Sequence, residues 1–214
     1  MNAHVRDKMG RALRAGPSSR ERQAAAAAAA AERLLERVSA EGLADVVYGS
    51  VDSPFGTLHA AMTHRGLVRL SFPEEGELEL LGELSQRLSP RIVRTASLLD
   101  PVRRELDEYF NGRRRRFELD VDWTLMGPFA TRVLRRTAAI PYGSYSSYGE
   151  IASEAGSPRG ARAAGNALGA NPIPIVIPCH RVLHAGGGLG GYGGGLERKR
   201  WLLALEGAVP ASTR

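Results

Sequence analysis

Along this chain, apolar positions recur first at helical spacing, then in alternation, then at helical spacing again, and finally crowd into one short run framed by prolines. Ser18 and Glu21 pattern a capping box that opens a helix through the eight alanines Ala24 to Ala31 and on to Leu34, Leu35 and Val38, with Gly42 as its stop. Residues 1–17, Arg-rich with Gly and Pro, carry no such period and read as a disordered arm. From Val46 the period drops to two. Val46–Tyr48 and Leu58–Met62 predict strands around the turn signal Ser53-Pro54-Phe55-Gly56, and Leu67–Phe72 follows Gly66 as a third. Leu78, Leu81, Leu84 and Leu88 predict the buried stripe of a helix over 78–88. Leu98–Phe110 predicts another, with Pro101 in its first turn and Gly112 past its end.

Asp120–Met126 reads as a link to a second unit. There a helix from Phe129 to about Ala139 stops ahead of Pro141, because a residue before proline avoids helical angles. Next come Ser147–Ala155, Gly156 and Pro158–Ala170, the helix, tight turn, helix arrangement of a helix-turn-helix. Ser157 is the expected N-cap and Pro158 the first helical residue. Ala161, Ala164 and Leu168 then face inward, and Arg159, Arg162 and Gly165 or Asn166 face outward. Ile173 and Ile175–Ile177, cut by Pro174 and closed by Pro178, predict a buried strand or wall. Ala185–Gly195 is a glycine-rich run broken only by Leu189 and Tyr192; it lacks the lysine and hydroxyl of a P-loop and suits a lid over a pocket. Leu196–Leu205 closes the pattern as a helix with Trp201, Leu202 and Leu203 on its core face, and Glu206 precedes the terminator Gly207. The fold class is α+β, with an extension over 1–42, an N-terminal α+β domain over 43–120 and a C-terminal domain over 121–210.

Composition adds two constraints. With 43% hydrophobic and 24% charged residues in 214, the bulk is globular. Residues 1–42 carry eight basic and five acidic groups, 43–126 eleven and fourteen, and 127–214 ten and four, so the basic surplus lies in the last segment. An anionic partner follows, and a helix-turn-helix in that segment makes nucleic acid the natural one. One cysteine excludes an intrachain disulfide and a Cys-rich zinc site, and fits a reducing cytoplasm. No apolar run has membrane-spanning length and the first residues hold no hydrophobic signal core.

That cysteine, Cys179, follows Pro178 and precedes His180 and Arg181. Proline fixes φ and removes a donor, so the thiol starts a rigid turn. A base and a cation beside a thiol are expected to lower its pKa and raise its nucleophilicity. Adjacent side chains cannot readily bond to one another, so His180 would act through a bridging water, with Glu206 orienting the imidazole. Cysteine proteases set these two residues far apart, which argues against proteolysis. His59 and His64 lack metal-ligand companions, and Arg113–Arg116 after a helix stop reads as an exposed loop.

Pro178-Cys179-His180-Arg181-Val182, preceded by Arg162, Gly165 and Asn171-Pro172 and followed by Gly191-Tyr192 and Leu202-Leu203-Ala204-Leu205-Glu206-Gly207, resembles the O6-alkylguanine-DNA alkyltransferase family. The likeness is dense over 129–207, weaker over 46–110, and absent over 1–42. It implies a ribonuclease H-like N-terminal domain and a winged-helix-like C-terminal domain, acting without a cofactor as a monomer on double-stranded DNA through the minor groove. It further implies that Cys179 takes the alkyl group from guanine O6, His180 receives the thiol proton through water, Glu206 holds His180, Tyr148 donates toward the leaving guanine and Asn171 braces the cysteine turn. Arg162 would fill the stack left by the extruded nucleotide. Ser157 and Gly149 would meet phosphate, with Arg159 on the same DNA-facing surface, while Ala161, Ala163 and Gly165 let the helix approach. Tyr192, Pro174 and Gly193 would line the alkyl pocket. Some relatives hold an N-terminal zinc on cysteines and histidines; this chain has no cysteine there, so no metal is expected. The rival readings are a non-catalytic sensor of alkylated guanine and a helix-turn-helix regulator.

Overall fold

A computed structural model describes residues 18–208; the arm expected over 1–17 lies outside them. Helix α1, Ser19–Ala40, opens on the expected capping box: the Ser18 amide donates to Glu21 Oε2 at 2.5 Å and the Glu21 amide to Ser18 Oγ at 3.3 Å. A four-stranded sheet follows, built from β1 (Val46–Val51), β2 (Leu58–Thr63), β3 (Gly66–Ser71) and β4 (Ile92–Arg94) in the order β3-β2-β1-β4. The first three run antiparallel and β4 joins β1 in parallel. Helix α2, Glu77–Arg87, covers one face through Leu80 and Leu84 against Val46, Tyr48, Ala61 and Val68. Helix α3, Asp100–Phe110, covers the other through Val102, Leu106 and Tyr109 against Leu58, Ala60 and Leu70.

The stripe expected on α2 is corrected at one end. Leu78 is 86% exposed, and Leu80 takes its place. Residues two positions apart on a helix stand about 200° apart around its axis, so a helix that buries Leu80 and Leu84 must turn Leu78 to solvent.

The second half contains α4 (Pro128–Ala138), β5 (Ser146–Ser147), α5 (Tyr148–Glu154), α6 (Ala161–Gly169), β6 (Val182–Leu183) and α7 (Leu196–Leu205). A parallel pairing of β5 with β6 ties the start of α5 to the segment after the cysteine. Ser147 caps α5 with a complete capping box to Glu150.

The start of α6 differs from expectation. Ser157, Pro158, Arg159 and Gly160 form a turn closed by the Gly160 amide on the Ser157 carbonyl at 2.8 Å, while the Ser157 amide closes on Ala152 O at 2.8 Å. The first intrahelical bond runs from Ala164 N to Gly160 O, so Gly160 is the N-cap and neither Ser157 nor Pro158 belongs to the helix. The inward face is accordingly Ala164, Ala167 and Leu168, with Ala161 exposed. On α7, Leu202 and Leu203 are buried but Trp201 is 37% exposed, packed edge-on against Phe55 and Phe110.

The two halves share one core, in which Tyr109 and Phe72 belong to the same cluster as Ile173, Cys179 and Leu202. A backbone bond crosses between them, from Leu70 N to Pro172 O at 2.8 Å. It holds the segment that leads to the cysteine.

Candidate active site and nucleic-acid interface

The proline-framed run does not form a strand. It folds into two successive three-residue turns. Val176 N reaches Pro174 O at 2.9 Å around Ile175, which is fully buried with φ at 74°. A β-branched residue in the left-handed region is strained, and the surrounding core holds it there. Cys179 N then reaches Ile177 O at 2.8 Å around Pro178, whose φ of −81° and ψ of 63° match an inverse γ-turn that the pyrrolidine ring favours. Two prolines in a short run forbid a regular ladder, and that outweighs the apolar signal.

Asn171 clamps this path from inside. Its Nδ2 donates to Ile177 O at 2.9 Å and lies 3.1 Å from Cys179 Sγ, while its Oδ1 accepts from Ile173 N at 3.0 Å. Cys179 begins a 3₁₀ turn through Arg181, which carries the next two side chains into the interior. There Glu206, the C-cap of α7, collects four bonds: His180 Nε2 at 3.0 Å, Arg181 Nε and Nη2 at 2.8 Å each, and Tyr109 Oη at 2.6 Å. Burial would raise the Glu206 carboxyl, but the bonds from His180 and Arg181 more than offset it and hold the group at about 2. Burial pushes the His180 imidazolium below its ordinary range, against the pull of Glu206. A neutral ring donating from Nε2 to the carboxylate leaves Nδ1 as a lone-pair base, and Nδ1 is the buried ring nitrogen without a partner.

Arg181 is not the cation beside the thiol. Both of its bonding edges are committed, to Glu206 and to Ile140 O at 2.6 Å. Lys199 of α7 supplies the positive charge that acts on Cys179. Its Nζ is caged by the carbonyls of Val182 at 2.7 Å, Gly191 at 3.3 Å and Leu189. Burial lowers Lys199 to about 8, with the Cys179 charge opposing. The thiol itself moves opposite to expectation: burial raises it, and the Asn171 bond and the Lys199 charge only partly counter that. At rest the sulfur is therefore protonated at neutral pH and needs a base. Replacing Lys199 with Met removes this cation, and alkylation of Cys179 by iodoacetamide at pH 7 is expected to slow about tenfold, as for a lost charged hydrogen bond. An unchanged rate in a folded variant would show that Lys199 only ties the loop.

Cys179 opens onto a cavity of about 500 Å³ lined by Tyr148, Arg162, Gly165, Tyr192 and Gly193, with Ala161 at its edge. Tyr148 donates to Gly191 O at 3.3 Å, and burial followed by the Cys179 charge raises its hydroxyl. A Cβ at Gly190, where φ is 64°, would stand 2.6 Å from that hydroxyl, so the glycine-rich run is shaped around Tyr148. The run is also pinned by Lys199 and by Arg198, which bonds Gly194 O at 3.1 Å and lies over Phe72 at 4.6 Å. Tyr192 is partly buried, and its hydroxyl is buried without a partner. Pro174 lines a neighbouring cavity of about 350 Å³ that also reaches Cys179, Tyr192 and Gly193. Arg159, Ser157, Gly149 and Ala163 do not line the base-sized cavity; they lie at or near the surface of the α5-turn-α6 unit.

Sequence reasoning missed Tyr109, Lys199 and the true partner of Arg181. A lysine inside the closing apolar helix was the one available signal.

Residues 128–208 match the family description "6-O-methylguanine DNA methyltransferase, DNA binding domain", and residues 46–123 its "ribonuclease-like domain". The methylated-DNA–protein-cysteine methyltransferase of Mycolicibacterium paratuberculosis is 44% identical over 163 residues, covering 75% of this chain and 92% of that one. The inducible methyltransferase of that name from Bacillus subtilis is 37% identical over 150 residues, covering 69% and 83%. A crystal structure of Mycobacterium tuberculosis O6-methylguanine methyltransferase superposes with a TM-score of 0.65 at 38% identity, covering 78% and 96%. A crystal structure of Mycobacterium tuberculosis OGT in complex with DNA superposes with a TM-score of 0.64 at 37% identity, covering 78% and 97%.

Proposed function

This chain belongs to the methylated-DNA–protein-cysteine methyltransferase family, and we propose from that premise that it repairs O6-alkylguanine in duplex DNA by moving the alkyl group onto Cys179. The observation that carries the reading is the placement of the one thiol on a base-sized cavity, backed by the buried His180–Glu206 pair. In the step, the S–C bond forms as the C–O6 bond breaks. The thiol proton passes through water to His180 Nδ1, Glu206 stabilises the resulting imidazolium, and Tyr148 donates so that guanine departs neutral. Asn171 keeps the sulfur aimed. Tyr192, Gly193 and Pro174 form the alkyl wall.

A base inside duplex must be extruded for this chemistry, at a cost of a few kcal/mol. Arg162, exposed on α6 at the cavity mouth, fills the vacated stack; Ala161, Ala163 and Gly165 allow α6 into the minor groove, and Ser157, Gly149 and Arg159 meet the backbone. The protein works as a monomer in a reducing cytoplasm, where its thiol stays free. Among the described residues no helix is long and apolar enough to cross a membrane.

Incubation with an O6-methylguanine duplex and peptide mass analysis tests the reading; an unmodified Cys179 ends it and favours a sensor. Arg162→Ala is expected to slow transfer from duplex about tenfold or more relative to transfer from free O6-benzylguanine, since only the duplex reaction pays for extrusion. Equal losses on both substrates would remove Arg162 from that role.

A further inference from the structure

His184 has no place in the chemistry above, yet it lines the same cavity as Cys179, Tyr148 and Arg162. It follows β6 directly, and its ring lies 5.2 Å from the Tyr148 ring, tilted by 48°. The ring is exposed. Its backbone is already fixed without it: His184 N donates to Gly188 O and Gly187 N to His184 O, both at 2.8 Å. An aromatic side chain that the turn does not need, held against Tyr148 at an open rim, is placed to meet something outside the protein.

The rim chemistry says what. Arg162 and His184 are the basic side chains of this cavity wall, and no carboxylate lines it. Behind Tyr148 stands Lys199, 5.9 Å from the ring. This is a mouth built for an anion. A nucleotide extruded from a duplex swings about its own backbone, so its base enters the pocket while its flanking phosphates stay at the entrance. Arg162 rises from α6 and His184 from the segment after β6, and Tyr148 meets both sides: a Cβ at Gly165 of α6 would lie 3.7 Å from its ring. With Arg162 engaged in the stack, the other rim needs its own donor.

We infer that His184 donates a ring N–H to the backbone phosphate beside the extruded nucleotide, which makes it a substrate-positioning residue for lesions in DNA. The inference rests on the transferase reading. It predicts discrimination between lesion in duplex and free base, because the free base carries no phosphate.

The test measures transfer rates for the unaltered protein, His184→Ala and His184→Gln on an O6-methylguanine duplex and on free O6-benzylguanine. His184→Ala is expected to lose about tenfold more on duplex than on free base, as for one hydrogen bond to a charged group. His184→Gln, which keeps a side-chain N–H donor, is expected to recover most of that loss. Equal losses on both substrates would mean that His184 merely supports Tyr148, and no loss on duplex would mean no phosphate contact; either overturns the inference. If the unaltered protein takes up no alkyl group from either substrate, the transferase reading fails first, and that is visible before any variant is compared.

Discussion

Glu206→Ala is expected to lower the stability of the fold by about 3–5 kcal/mol, the usual cost of leaving one member of a buried ion pair without its partner. Arg181 is the member left behind: it is 5% exposed, and two of its three side-chain bonds end on Glu206. Tyr109 and His180 lose an acceptor in the same change. Glu206→Gln keeps the shape but not the charge and is expected to fall between the two. The pH profile follows from the same contacts. Burial disfavours the carboxylate, yet His180 and Arg181 hold it at about 2, below the 4.5 of a free glutamate side chain. The folded state thus binds fewer protons than the unfolded one in that window, so the stabilisation is complete above about pH 4.5 and fades as pH falls toward about 2. Urea denaturation of both proteins between pH 7 and pH 2.5 checks this. A gap under about 1 kcal/mol at pH 7, or one that does not narrow in acid, would show that Glu206 is not the anchor of the site.

The same residue marks the limit of what the sequence could show. Its link to His180 was legible, because a carboxylate at a helix end beside Gly207 has somewhere inward to point. Its links to Arg181 and Tyr109 were not: Arg181 reads from sequence as a cation for the neighbouring thiol, and Tyr109 lies 97 positions away across a core that only folding assembles. Long periodic elements were readable throughout: α1, α3 and α4 lie within a residue or two of expectation, apart from the 3₁₀ turn over Ser97–Leu99 ahead of α3. The three-residue β4 and the two-residue β5 and β6 are too short for any period to emerge. At Ile173–Ile177 the apolar content was read correctly and the geometry was not. The run is buried apart from half-buried Val176, as a strand would be, but its prolines and Asn171 supply the backbone partners that a sheet would otherwise provide. The sign of the thiol shift was missed for a related reason. Neighbours in sequence do not reveal that Arg181 turns away to Glu206, or that burial rather than charge dominates at Cys179.

Cys179→Ser is expected to abolish transfer, by about a thousandfold or more, with the mass of the chain unchanged after incubation with methylated duplex. Burial already keeps the thiol protonated at rest, and the proposed step draws on the intrinsic nucleophilicity of sulfur once a base takes that proton. An alcohol in the same cage has a far higher pKa and a much weaker nucleophile behind it. The unaltered chain is expected to gain one methyl group and then stop. A thioether sulfur is a poor leaving group, and Cys179 is the only thiol in the sequence, so no second sulfur can take the group on. Titration with increasing duplex therefore gives a plateau at about one methyl per chain, at a rate-independent endpoint. Uptake that continues past one equivalent, or any methylation of the serine variant at a comparable rate, would mean that the sulfur is not the terminal acceptor.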